Sequence, residues 1–133
     1  MNRAVAALVF TVVATTVTAS CVGSGVGSLV GEYATEEGGR PEVRITKEQD
    51  QYLVSIWEDG DWSRPGVLRP SAETDYEELF GSTWEEIKPV GLQLQEGGLA
   101  MFKVEPGSTA QRHTFTTGYF FFFLLGGTDV HKL

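Results

Sequence analysis

Apolar and polar positions alternate along most of the chain from residue 29 onward. Residues 42–46 (EVRIT) switch character at each step, as a half-buried strand does, and residues 51–57 (QYLVSIW) put Tyr52, Val54 and Ile56 on one face. The polar residues 47–50 lie between them, so Val43 and Ile45 are predicted to pair with Tyr52, Val54 and Ile56 in a hairpin. The Asp59-Gly60 pair then marks a tight turn. Residues 29–34 read as a first strand, ended by Glu37-Gly38-Gly39. Farther on, residues 83–87 have moderate strand character and residues 91–95 (GLQLQ) alternate cleanly. Gly97-Gly98 turns the chain into residues 99–104 (LAMFKV), and residues 105–108 turn again. Residues 114–125 form the strongest apolar run outside the N-terminus, and Gly126-Gly127 is predicted to turn it into a last strand over 129–133.

One segment has helical rather than strand period. Tyr76, Leu79 and Phe80 fall at i, i+3 and i+4, with Ser71 placed to cap the N-terminus, Gly81 to end the helix, and acidic residues in the first turns where the helix dipole favours them. Seven to eight short strands, one short helix near residues 72–80 and regularly spaced turns make the chain mainly β. A small antiparallel β-barrel or sandwich is predicted, most simply an up-and-down meander. Phe120, Phe121, Phe122 and Phe123 cannot all face one core, because strand side chains alternate; two of the four must face the helix or a partner.

The N-terminus follows a different pattern. Met1-Asn2-Arg3 is followed by residues 4–17, which carry no charge and are shorter than the roughly 20 apolar residues that span a bilayer. Small residues and the only cysteine then follow, as Thr18-Ala19-Ser20-Cys21. This motif resembles the lipobox of bacterial lipoproteins. The resemblance implies a signal peptide over residues 1–20, cleavage before Cys21, and lipid on the Cys21 thiol and its new amine. Two or more acyl chains anchor where one does not. An ordinary secretory signal cut after Ala19 or Ser20, or an uncleaved anchor, would also follow from the residues alone. On the lipoprotein reading residues 21–28, rich in Gly and Ser, form a flexible tether and residues 29–133 a single domain. By the sorting pattern of enteric lipoproteins, the resemblance with Val22 rather than aspartate after the cysteine implies the outer membrane, facing the periplasm. A lipidated Cys21 leaves no thiol for a disulfide, a metal or a nucleophile.

Charge and composition narrow the function. Ten Lys and Arg stand against 18 Asp and Glu, a formal net charge of −8, one unit more negative once Arg3 leaves with the signal. That argues against nucleic acid, or an anionic bilayer, as the main partner and suits a basic protein. His113 and His131 have no second ligand at metal spacing, residues 58–61 lack the downstream glutamate of a calcium loop, and no nucleophile elbow or phosphate loop is present. No catalytic residue, metal or cofactor is therefore expected.

Aromatics are the remaining lead. Trp57 and Trp62 flank the Asp-Gly turn, and with Asp59, Asp61 and Arg64 they form the predicted partner-binding surface, in residue types that interface hot spots use. The alternative is that Trp57 closes the barrel and Trp62 covers its mouth. Tyr119, Phe121 and Phe123 form a candidate docking edge. Three functions are open. The first is a membrane-anchored, non-enzymatic binding module, of the general type of small acidic lipoproteins that inhibit lysozyme or confer immunity against cationic toxins. The second is a structural lipoprotein of an envelope or secretion complex, docked by strand addition. The third is a hydrophobic-ligand carrier, which needs a barrel with an open interior.

Overall fold

The structure, a computed structural model, describes residues 25–124 and 126–133. The expected signal segment, Cys21 and the first part of the expected tether lie outside the described residues. A 3-10 turn at Val26–Leu29 leads into β1 (Gly31–Ala34), β2 (Val43–Glu48), β3 (Gln51–Glu58), β4 (Asp61–Trp62) and β5 (Gly66–Pro70). Two short helices follow, α1 (Glu73–Phe80) and α2 (Trp84–Ile87). Then come β6 (Val90–Leu94), β7 (Leu99–Lys103), β8 (Thr109–Ala110), β9 (His113–Thr114), β10 (Tyr119–Phe123), β11 (Gly126–Asp129) and β12 (His131–Lys132).

The strands run β11-β10-β7-β6-β5-β3-β2-β1-β12, each antiparallel to its neighbours, with β4 added to β3 and β8–β9 as a separate small hairpin. The two ends of that path, β11 and β12, are separated in sequence by Val130 alone, so the sheet curls back on itself as a nearly closed barrel. The mainly β fold is as the alternation predicts, and it is an up-and-down meander barrel rather than a sandwich. The β2–β3 hairpin has the predicted pairing of apolar faces, with Val43 opposite Ile56 and Ile45 opposite Val54. Positive φ at Asp59 (51°) and Gly60 (85°) gives the Asp-Gly turn the twist that a tight hairpin needs.

The barrel interior is filled by Tyr33, Val43, Ile45, Val54, Leu68, Leu92, Met101, Phe121 and Val130. One end is plugged. Val26 and Leu29 are the apolar residues of a Gly/Ser-rich stretch, and a single 3-10 turn buries both against the barrel core. Tyr33 ties the plug in place, its Oη donating to the Leu29 carbonyl at 2.6 Å, and Lys132 Nζ donates to the Ser28 carbonyl at 2.7 Å. Burial, with Tyr119 nearby, pushes the Tyr33 phenol far above its ordinary range. Residues 26–28, expected in the tether, therefore belong to the fold.

A second core lies on the outer face of β7 and β10. Ala100 and Phe102 meet Phe80 and Ile87 from the helices and Phe115 from the loop, with Phe120 and Phe122 packed against them. Of the four consecutive phenylalanines, then, Phe121 and Phe123 point into the barrel and Phe120 and Phe122 point out towards α1. Ser71 does not cap that helix: its hydroxyl reaches the Gln93 side chain at 2.5 Å. The cap comes from Asp75, whose carboxylate turns back to accept the Ala72 amide at 2.7 Å and pairs with Arg69 at 3.2 Å. These two contacts, the amide first, hold the Asp75 carboxyl below the usual range.

Two elements differ from expectation. Residues 84–87 are a helical turn rather than a strand, because Trp84 stacks on Tyr76 at 5.5 Å while Ile87, three residues on, is buried on the same side. Lys88 then adopts a left-handed conformation ahead of Pro89, which ends the turn. Gly126 and Gly127 are not a turn but the first residues of β11, opposite Phe123 and Phe122. The Phe120 ring lies over Gly127, where any Cβ would collide with it.

Candidate functional site

Trp57 and Trp62 come together. The Asp59-Gly60 turn folds β4 back on β3 with the two tryptophans directly opposite, their rings edge to face at 5.3 Å. Val54 and Ile56 face the interior, so alternation turns Trp57 outward, and Trp62 lies on the same outer side. Neither fills the barrel; the expectation that they close or cover it gives way to an external pair, each half-buried.

Three residues that sequence reasoning did not select complete the site. Arg44, on the outer face of β2, lays its guanidinium over the Trp62 ring at 4.0 Å and pairs with Glu32 of β1 at 3.0 Å. Arg40 lies over Trp57 at 5.1 Å. The segment carrying Arg40 is pinned because the Glu42 backbone bonds to both Tyr33 and Trp57, and its carboxylate accepts from the Thr35 amide and hydroxyl. The result is a line of stacked groups, Glu32–Arg44–Trp62–Trp57–Arg40, around a shallow hollow of about 290 Å3. Within the described residues Arg40 makes no ion pair, so its charge stays available.

The other predicted contact residues have different positions. Asp61 accepts the Trp62 amide at 2.8 Å and so fixes the start of β4, while Asp59 is a turn residue; with Glu58, both are exposed beside the tryptophans. Arg64 belongs to another feature. At the end of the barrel opposite the plug, β3 leaves β5 beyond Val54, and the Ile56 amide bonds to the Ser63 hydroxyl at 2.9 Å instead of continuing the ladder. The opening is a cleft of about 350 Å3 with Val54, Ile56, Leu94, Leu99 and Phe123 as walls and Arg64, Glu58 and Glu96 at its rim. The interior is thus filled at the plugged end and opens at this mouth.

Tyr119, Phe121 and Phe123 do not form a docking edge. β10 is hydrogen-bonded to β7 on one side and β11 on the other, and these three side chains face inward, with only Phe123 (41% exposed) reaching the mouth. Strand addition at β10 has no free edge to use. His113 has acquired a partner that spacing did not suggest: its Nε2 lies 3.2 Å from the Asp129 carboxylate across the β10–β11 wall. Among the described residues, no group of three or more His, Cys, Asp or Glu side chains converges as a metal site would, and no helix is long and apolar enough to cross a membrane.

Compared with protein-family models, curated proteins and solved structures, the chain has no match in any of the three.

Proposed function

We propose that this protein is a non-enzymatic binding module, anchored to a membrane by lipid on Cys21, that holds a basic protein partner on the face built by Trp57, Trp62, Arg40 and Arg44. The observation that carries the proposal is the pair of outward-facing tryptophans, locked edge to face and each overlaid by an arginine, with no part in either core. Large rigid side chains held in place before binding lose little entropy on contact, which makes such residues the energetic centre of interfaces. Exposed Glu58, Asp59 and Asp61 give that centre an acidic rim, in a chain of net charge −8, and so favour a cationic partner. Topology supports the orientation. The described chain enters at the plugged end, and β3 carries the tryptophans to the opposite end, away from the proposed anchor.

The test pairs fold with binding. A Trp57→Ala/Trp62→Ala variant should keep a β-rich circular dichroism spectrum yet lose about tenfold or more in affinity for any basic partner recovered with the native protein. Undiminished affinity in that variant would sink the proposal. Anchoring is tested separately: Cys21→Ser should move the protein from the membrane to the soluble fraction, and mass spectrometry of the native N-terminus should show acyl chains.

One observation favours a second reading, a carrier of small apolar ligands: the mouth cleft falls within the roughly 300–1,000 Å3 typical of ligand sites. Failure of the native protein to bind a fluorescent fatty acid saturably would remove that reading.

A further inference from the structure

On the wall of the barrel opposite the tryptophans, α1, the β8–β9 hairpin and the outer face of β10–β11 enclose a pocket of about 190 Å3. Its walls include Leu79, Phe80, Phe115, Phe120 and Phe122, with His113 as a polar member. We propose that this pocket binds a single aromatic ring carrying a hydrogen-bond donor, the phenol class of ligand.

Size comes first. An engineered cavity of roughly 150 Å3 lined by aliphatic and phenyl groups takes up benzene, so a pocket of about 190 Å3 has room for one ring with a small substituent. Wall geometry comes second. Phe80 and Phe115 meet at 5.8 Å and 65°, and Phe115 and Phe120 at 5.2 Å and 87°, both edge to face. A further ring entering such an array finds edges and faces at the separations aromatic pairs prefer, which an aliphatic group of equal volume cannot exploit.

The polar group sets the substituent. The His113 ring is held against Phe115 (4.7 Å) and Phe120 (5.1 Å), and its Nε2 faces the two Asp129 carboxylate oxygens at 3.2 and 3.3 Å. An ionised carboxylate only accepts, so in the neutral imidazole the proton resides on Nε2 and Nδ1 is left as an acceptor. Nδ1 makes no hydrogen bond among the described residues. Because His113 lines the pocket, a ligand hydroxyl that reaches Nδ1 can donate to it, while a bare ring cannot. Gly126 and Gly127 line the pocket without side chains, and the Phe120 ring takes the space that a side chain at Gly127 would fill.

The decisive variant is His113→Phe, which keeps an aromatic ring against Phe115 and Phe120 while removing the acceptor. Phenol, benzene and cyclohexanol are titrated into the native protein and this variant, with binding read by ligand-observed NMR and folding by circular dichroism. The native protein should bind phenol about fivefold more tightly than benzene, the worth of one neutral hydrogen bond, and cyclohexanol most weakly. His113→Phe should erase the preference for phenol over benzene. The proposal is overturned if the native protein binds none of the three or does not prefer phenol to benzene. It is equally overturned if His113→Phe, folded, keeps the preference.

Discussion

Asp75 shows how much one side chain can carry. It caps α1 through the Ala72 amide, pairs with Arg69, and has its carboxyl held below the usual range as a result. A group whose pKa is lower folded than unfolded adds stability above its unfolded pKa, about 3.9 for aspartate, and that stability is lost as pH falls through the folded value. Melting temperature should therefore drop as the buffer is taken below about pH 4, and Asp75→Asn should remove part of that slope. Gly127 acts by absence. With the Phe120 ring on its Cα, Gly127→Ala forces the ring aside and should cost about 1–3 kcal/mol, measured as a shift of the urea midpoint. Arg44 differs again. Its ion pair with Glu32 is exposed and worth little, but its stacking on Trp62 needs a flat guanidinium, so Arg44→Lys should weaken binding of the proposed partner while barely moving the melting temperature.

At the scale of elements, β10 separates two roles within one apolar run. Phe121 is 7% exposed in the barrel core, whereas Phe123, two residues on and on the same face, is 41% exposed at the mouth. Phe121→Asp should unfold the domain, and Phe123→Asp should leave it folded; far-ultraviolet circular dichroism distinguishes the outcomes. The same elements show what the sequence discloses. Hairpins β2–β3 and β6–β7 are legible because each apolar face meets its partner a few residues away across a turn written in polar or glycine residues. Trp57 and Trp62 are legible for the same reason. Arg44 and Glu32 come from two further strands, and His113 meets Asp129 only once β10 and β11 have paired, so no local spacing signals them. The 84–87 segment misleads because its helical turn is decided by Tyr76 and the second core rather than by its own pattern.

For the whole molecule, closure is the costly step. β12 pairs with β1, so the last staves to meet come from nearly opposite ends of the described chain, and such non-local pairing slows folding towards the millisecond-to-second range. Deleting residues 131–133 should leave β1 unpaired on its outer side, and the truncated protein should form larger species in light scattering at concentrations where the native chain stays dispersed.

The Lys132–Ser28 contact has one more consequence. It brings the two ends of the described chain side by side at the plugged end, with β1 and β12 already neighbours. Chain order is then a detail of synthesis rather than of architecture. A circular permutant that joins these ends through a short glycine linker and opens at Gly97-Gly98, an exposed turn with unobstructed glycines, should rebuild the same barrel. It would also let the proposed anchor be attached at the mouth, so that the tryptophan face and the plug exchange their positions relative to it.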